Sequence, residues 1–200
     1  MATKLAIIYY SSTGTVDEMA RRAARAGEQA GAEVRLRHVE ELAPDSAIDS
    51  QERWRAHVDR IADEPRATPD DLVWADAVLL GTPTRYGNVA AQLKQFLDTT
   101  GPQWGQGLLA DKVYAGFTAS QTMHGGQEST LLALYNVVHH FGGILVPPGY
   151  TDALKFADGN PYGASHVTGA SNDAPLGDDT LAAIDHLVQR VVTVAGKLRG

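Results

Sequence analysis

Apolar and polar positions along the chain form alternating blocks that predict five strands with helices between them. Runs typical of strands lie at 5–10, 33–39, 75–80, 112–118 and 144–146. Between several of these runs, apolar residues recur at intervals of three and four, the period of a helix. Two such stripes are Val16, Met19, Ala20, Ala23, Ala24 and Leu131, Leu134, Tyr135, Val138. Strands that are continuously apolar and alternate with helices indicate a doubly wound α/β fold, whose parallel sheet is covered on both faces.

Further helices are predicted from their start signals and from the closing segment of the chain. We expect helices around 51–61, after Thr68 as N-cap with Pro69 following, after Asn88 as N-cap, and over 181–198. The stretch 147–178 is far longer than an ordinary connection and is rich in Gly, Pro, Asn, Asp and Ser. It is expected to complete a sheet edge near 165–168, to line a functional site, or to pack against another subunit.

Composition narrows the class of protein without specifying its chemistry. The chain has 200 residues, 17 Lys and Arg against 24 Asp and Glu, a net charge of −7, and no cysteine. We therefore expect one domain over 1–200, no thiolate metal site and no thiol nucleophile. Scattered basic residues argue against nucleic-acid binding, and no apolar run is long enough for a membrane span. A cytoplasmic location and no catalytic metal are the resulting expectations.

Three polar loops follow predicted strands and are the candidates for function, because ligands of open α/β sheets bind beyond the carboxyl ends of the strands. The first loop comprises Ser11, Ser12, Thr13, Gly14, Thr15 and Val16. The second loop comprises Gly81, Thr82, Pro83, Thr84, Arg85, Tyr86, Gly87 and Asn88. The third loop comprises Ser120, Gln121, Thr122, Met123, His124, Gly125 and Gly126.

The first loop has the chemistry of a phosphate site. It offers four hydroxyl groups and consecutive backbone N–H groups at a predicted helix N-terminus, where the helix dipole favours an anion. It contains no Lys or Arg, and it matches neither the P-loop pattern nor the Gly-x-Gly-x-x-Gly dinucleotide pattern. The alternative is that Ser, Thr and Gly merely cap an ordinary strand-to-helix turn.

Motifs across most of the chain resemble a known family. The first loop is similar to the flavodoxin phosphate loop at Ser11, Thr13 and Gly14, although it departs at Val16. The second loop resembles that of the WrbA family, flavodoxin-like NAD(P)H:quinone oxidoreductases. Further similarities to that family occur at Gln92, Phe96, Leu97, Asp98, Gly101, Trp104, Gly125, Gly126, Gln127, Glu128, His139, His140, Pro147, Gly149, Tyr150, Pro161, Tyr162, Gly163 and Ala164. The resemblance implies a five-stranded flavodoxin-like sheet of order 2-1-3-4-5.

The same resemblance implies the roles of individual residues. Residues 11–16 would hold the FMN phosphate, 83–87 would follow the isoalloxazine edge, and 120–125 would face its other side. His139 corresponds to a histidine near the flavin, and Trp104 corresponds to a tryptophan of the substrate pocket. Thr13 stands where the family commonly has an aromatic residue implicated in nicotinamide contact.

Plainer interpretations of these side chains remain open. His139 lies eight residues after Leu131 on an apolar stripe, so it is expected to point inward, as a hydrogen-bonded core histidine or as a proton donor near the flavin. Trp104, in a Gly-rich segment, either packs or faces a planar ligand. Trp54, in a charged helix, is a candidate for a partner surface.

The activity implied by the resemblance is two-electron reduction of a quinone to a hydroquinone, with NADH or NADPH as reductant, in a ping-pong sequence at one pocket. The family also implies a homo-tetramer. The alternative is a flavodoxin-type electron carrier, which would share the phosphate loop but lack its own quinone reductase activity. A receiver domain is disfavoured, because Gly81 and Thr82 stand where its phosphoacceptor aspartate belongs.

Overall fold

A parallel sheet runs through the centre of the fold and helices cover both of its faces. The computed structural model describes residues 1–199. The strands are β1 Lys4–Tyr9, β2 Glu33–His38, β3 Ala77–Pro83, β4 Val113–Ser120, β5 Ile144–Leu145 and β6 Ala164–Val167. The helices are α1 Thr15–Gln29, α2 Asp45–Ile48, α3 Glu52–Arg60, α4 Pro69–Trp74, α5 Ala91–Asp98, α6 Gly101–Gly105, α7 Gln127–Phe141, α8 Lys155–Asp158 and α9 Asp178–Leu198.

The strand order confirms the doubly wound, flavodoxin-like topology. The order is β2-β1-β3-β4-β5, and every pairing is parallel. Leu5 of β1 lies between Val34 of β2 and Ala77 of β3 in the register. The chain therefore moves outward from β1 to β2 and then crosses back to β3. The loops that follow β1 and β3 meet at this switch point, where such sheets bind ligands.

The predicted edge of the sheet is divided into two short strands. β5 pairs with the start of β4 and ends before Pro147, which has no N–H group to donate to the ladder. The chain returns as β6, which pairs with Phe117–Ser120 of β4. The expected continuation of the edge near 165–168 is thus confirmed. In the gap between the two pieces, the Gly116 N–H donates to the hydroxyl of Tyr135 at 3.1 Å.

Two apolar layers hold the helices against the sheet. On one face, α1 and α9 pack against side chains such as Leu5, Ile7 and Leu79. On the other face, α4, α5 and α7 pack against side chains such as Ile8 and Leu80. Alternate residues of each strand serve opposite layers, which explains why the central strand runs are apolar throughout.

The helix starts are partly as expected. α4 begins at Pro69 after the N-cap Thr68, whose N–H donates to Asp71 Oδ2 at 3.0 Å. Asn88 was expected to cap α5, and this was wrong. The N-cap is Ala90, and its N–H donates to the Thr82 hydroxyl at 3.0 Å. The short helices α2, α6 and α8 are additions, since fewer than two turns leave no periodic pattern.

Candidate functional site

The three candidate loops meet in one cleft at the carboxyl edge of the sheet. Its volume is about 570 Å³. The lining residues are Ser11, Ser12, Thr13, Thr15, Val16, Gln51, Trp54, Pro83, Thr84, Arg85, Ala119, Ser120, Gln121, Thr122, Gly125, Thr168 and Asn172. In this chain of net charge −7, no carboxylate of the described residues 1–199 lines the cleft, and one arginine does. The cleft therefore favours an anionic or polar ligand.

The first loop presents free donors at the start of α1. Gly14 is the N-cap of that helix with φ 101°, a left-handed conformation, and its N–H donates to Ser11 Oγ at 3.1 Å. The first helical bond runs from the Glu18 N–H to the Gly14 carbonyl at 2.9 Å. The three N–H groups of 15–17 precede this bond, so the helix itself gives them no acceptor. Such a turn can bind an anion at its N–H groups.

Arg85 supplies the positive charge that the first loop lacks in the sequence. Its Nη2 donates to Ser12 Oγ at 3.1 Å, and its Nη1 donates to the Thr84 carbonyl at 3.0 Å. The guanidinium is therefore placed beside the first loop, although it comes from the second. The first loop itself contains no basic residue, and the fold brings one beside it from the second loop.

The second and third loops are in close contact through two glycines. A Cβ placed on Gly126, which has φ 93°, would lie 2.7 Å from Gly87 Cα. The Thr130 hydroxyl donates to Thr84 Oγ1 at 2.8 Å, and the Gly87 N–H donates to the same oxygen at 3.2 Å. These contacts set the smallest possible distance between the second and third loops, because neither backbone can approach the other further. The space between the two loops is called the slot.

The start of α7 organises the third loop. The Gln127 side chain donates to the carbonyls of Thr122 and Met123, both at 3.1 Å, and the Ser120 hydroxyl donates to the Thr122 carbonyl at 2.8 Å. Met123 and His124 turn away from the cleft and line a neighbouring cavity of about 1030 Å³. The part of the loop on the cleft is 120–122 together with Gly125.

Several residues expected at the site lie elsewhere in this single chain. Tyr86 is fully exposed with a φ of 54°, and neither it nor Gly87 lines the cleft. Trp104 is 54% exposed on α6, and its Nε1 donates to the His140 carbonyl at 2.7 Å. His139 is exposed, so the expectation that it points inward was wrong.

The helical geometry explains the position of His139. A separation of eight residues rotates a side chain by about 80° relative to Leu131, which places it on the flank of the stripe. Val138 and Phe141 take the buried positions in this turn, and β5 is too short to cover the flank. The roles assigned to His139 and Trp104 stay predictions.

Five lining residues were missed because they come from outside the three loops, and one of them is Ala119 of β4. Gln51 and Trp54 belong to the segment after β2 that contains α3, and Thr168 and Asn172 follow β6. The unusual length of the 147–178 stretch pointed to Thr168 and Asn172, since lining a functional site was one of three expectations for that stretch. Trp54, which the sequence offered only as a candidate for a partner surface, borders the cleft.

A buried ionic cluster lies behind the first loop. The Cβ position of Gly14 is 3.8 Å from Nδ1 of His57, a residue of α3 that is only 4% exposed. Arg60 donates to that Nδ1 at 3.0 Å, and Asp17 Oδ2 accepts from Arg60 at 2.6 Å and from Arg21 at 2.9 Å. His57 Nε2 is buried and has no partner among residues 1–199. Burial lowers the pKa of His57, despite the nearby Asp17 carboxylate.

This lowered pKa predicts a loss of stability in mild acid. Below pH 6.5 the unfolded chain protonates His57 while the folded chain does not, so unfolding binds a proton and stability falls as pH falls towards the folded pKa. The limiting slope is about 1.4 kcal/mol per pH unit. The free energy of unfolding of His57→Gln should fall less over this range in urea titrations. Equal pH slopes for the two proteins would contradict the assignment.

Residues 1–199 contain neither a cluster of metal-binding side chains nor a helix suited to a membrane. No three His, Asp or Glu side chains come together in a way that could hold a metal ion. No helix of this part of the chain has the length and apolar character needed to cross a membrane.

A family model and two curated relatives all indicate a flavin- or quinone-dependent use of NAD(P)H. A family model described as NADPH-dependent FMN reductase matches residues 3–156. A protein of Deinococcus radiodurans named NAD(P)H dehydrogenase (quinone) is 49% identical over 198 residues, which cover 98% of each chain. A protein of Geobacter sulfurreducens with the same name is 39% identical over 206 residues, covering 97% of this chain and 98% of its own.

Solved structures share the fold at lower sequence identity. A WrbA-like flavodoxin from Agrobacterium tumefaciens superposes with a TM-score of 0.68 at 22% identity, covering 98% of this chain and 99% of its own. A flavodoxin from the Archaea superposes with a TM-score of 0.61 at 15% identity, covering 99% and 100%. At these identities the likeness supports the flavodoxin-like fold alone.

Proposed function

The chain belongs to the NADPH-dependent FMN reductase family, and from this premise we propose that the cleft between the three loops is its FMN and substrate site. The chain is an oxidoreductase that uses FMN to transfer electrons from NAD(P)H to quinones, the activity named for its relatives. The assignment of residues to that activity rests on the geometry of the cleft.

The assignment of the site rests on the distribution of charge and of hydrogen-bond donors around the cleft. The N-terminus of α1, the hydroxyls of Ser12, Thr13 and Thr15, and the Arg85 guanidinium border it, while carboxylates are missing from its described lining. An FMN phosphate is a dianion that needs several donors together, since one helix N-terminus contributes only about 0.3–2 kcal/mol. The residues present fit that group.

The remaining lining residues suit the rest of the cofactor and its substrates. FMN, when bound, accepts a hydride from reduced nicotinamide and passes electrons to a quinone. The chain's own part is to bind and orient these rings. The contacts between Gly87 and Gly126 set the spacing of the second and third loops, while Thr84 and 120–122 provide polar groups along the slot. Holding reactants in register in this way accelerates transfer without a nucleophile.

A steady-state assay with both substrates tests the quinone reductase activity. It also distinguishes this enzyme from a flavodoxin-type electron carrier. The FMN-loaded protein should oxidise NADH or NADPH continuously when 1,4-benzoquinone is supplied, with parallel double-reciprocal plots because both substrates use one pocket in turn. The same protein stripped of FMN should be inactive and should recover on reloading. If the FMN-loaded protein did not oxidise NADH or NADPH even when benzoquinone was supplied, the result would instead support the carrier.

We also propose a homo-tetramer, in which exposed aromatic side chains lie between subunits. Trp104 is 54% exposed, and Tyr150 stacks on the exposed Phe156 with 4.8 Å between ring centroids. Exposed apolar side chains of this kind are typical of association surfaces. Trp104 and His139 could then serve the cleft of another copy. Sedimentation that returned only single chains would contradict this proposal.

The cytoplasmic location stays a prediction.

A further inference from the structure

Trp54 borders the same cleft as the first loop, yet it comes from a helix that the other candidate residues do not share. It lies on α3, which follows β2, and its side chain is half-buried. Its neighbours in the lining are mostly hydroxyl, amide and backbone groups, with Val16, Pro83 and Ala119 as the apolar exceptions. An indole this large is stabilised by an apolar or aromatic cover, and these neighbours supply little of one.

A single carboxylate fixes the orientation of the indole. Glu41 Oε2 accepts from Trp54 Nε1 at 2.9 Å and from the Tyr10 hydroxyl at 2.8 Å. Glu41 Oε1 accepts from Gln92 at 2.7 Å and from the N–H groups of 42 and 43 at 2.9 and 3.0 Å. Five donors on one carboxylate leave the indole little freedom to rotate. The polar edge of Trp54 is thus held by the protein, while part of the half-buried ring borders the cleft.

Helix α3 is itself tied down on both sides of Trp54. Arg53 Nη1 donates to the Asn172 carbonyl at 2.6 Å, and Asn172 also lines the cleft. Towards the other end of the helix, Arg60 Nη2 donates to Asp17 Oδ2 at 2.6 Å. The helix therefore connects the segment after β6 with α1, and Trp54 is held between these two ties.

We propose that Trp54 is the wall of the cleft on which a planar aromatic ring stacks, and that Glu41 is the positioning residue that holds it there. This proposal rests on the proposed function, which brings such rings into the cleft. The isoalloxazine ring of FMN and the ring of a nicotinamide or quinone share the required chemistry. Offset stacking on an indole would cover the apolar face that the protein leaves open.

Flavin emission provides a readout that does not depend on activity. An indole in contact with isoalloxazine quenches flavin fluorescence by electron transfer, whereas a phenyl ring does not. If the stacked ring is isoalloxazine, FMN bound to Trp54→Phe should therefore be brighter than FMN bound to the natural protein. Trp74→Phe is the matched control. Trp74 lies on α4, packs against Arg35 of β2 and does not line the cleft. Glu41→Gln should brighten the flavin as well, because it releases the indole.

Affinity and kinetics identify which ring is stacked. Loss of one aromatic pair corresponds to about a two- to twelve-fold weaker interaction. If the ring is isoalloxazine, Trp54→Leu should weaken FMN binding by that factor and emission should rise in Trp54→Phe. If the ring belongs to the substrate, FMN binding and emission should be unchanged while the KM for NADH or benzoquinone rises.

The same measurements can overturn the proposal. Trp54→Leu and the natural protein with equal FMN affinity, equal emission and equal KM values would leave Trp54 without a ligand role, and the proposed function would stand. Failure of the natural protein to bind FMN would overturn both. Circular dichroism of each variant verifies that α3 and the rest of the fold are retained.

Discussion

Replacement of Gly14 by valine should lower the affinity for FMN by at least about 100-fold. Gly14 has a φ of 101°, which a β-branched residue adopts only at a cost of about 1–3 kcal/mol. Relief of that strain would rotate the N–H groups at the start of α1 away from the bound phosphate. Each hydrogen bond to a charged group contributes about 1.5–3 kcal/mol, so misplacing two of them accounts for the loss. Titration of the FMN-free protein, followed by flavin fluorescence, measures it.

Gly31→Val is the matched control for this substitution. Gly31 follows the other end of α1 with a φ of 79°, and no atom lies within 4 Å of its Cβ position. Valine there should cost a similar amount of stability and leave FMN affinity unchanged. If both variants lost FMN equally, the effect would come from general destabilisation. If Gly14→Val kept its flavin, the phosphate assignment of the first loop would be wrong.

Replacement of Gly126 by alanine should reduce kcat/KM for the quinone by about 100-fold. The new Cβ would lie 2.7 Å from Gly87 Cα, whereas carbon atoms in contact are normally about 3.5–4.0 Å apart. The second and third loops must therefore separate by about 1 Å. A displacement of that size can cost about 100-fold in rate, because the reacting rings lose their register. Steady-state kinetics with NADH and 1,4-benzoquinone measure this loss.

The control for Gly126→Ala is Gly31→Ala, which introduces the same side chain at a comparable positive φ without a steric contact. It should retain full activity. Gly87→Ala should have a smaller effect than Gly126→Ala, since its Cβ would lie 2.8 Å from Ser129 Oγ, a hydroxyl that can rotate away, and not against backbone. Normal kinetics in Gly126→Ala would show that the spacing of the two loops does not control the reaction.

Much of the fold could be predicted because its signals are local. Continuous apolar strands such as β3 and β4 specify a sheet buried on both faces. Turn residues after each strand then locate the three loops, and the switch in strand order brings those loops together. The start of α5 was not predictable in the same way, because the Ala90 N–H donates to the hydroxyl of Thr82, and sequence spacing does not reveal that contact.

The rest of the site depends on contacts between residues far apart in the chain. Arg85 reaches Ser12 across 73 residues, and Arg53 reaches Asn172 across 119. No periodicity records such contacts, so the positive charge at the first loop and the position of α3 over the cleft were not expected. The exposure of His139 and Trp104 was not expected either, since the packing around a helix depends on elements that are distant in the sequence.

If the first loop binds the phosphate of FMN, the protein should distinguish FMN from riboflavin. Riboflavin has the same ring and side chain but no phosphate. Both are titrated into the FMN-free protein and followed by flavin fluorescence. FMN should bind at least about 100-fold more tightly, which corresponds to two charge-assisted hydrogen bonds. Equal affinities for the two flavins, or no uptake of either, would contradict it.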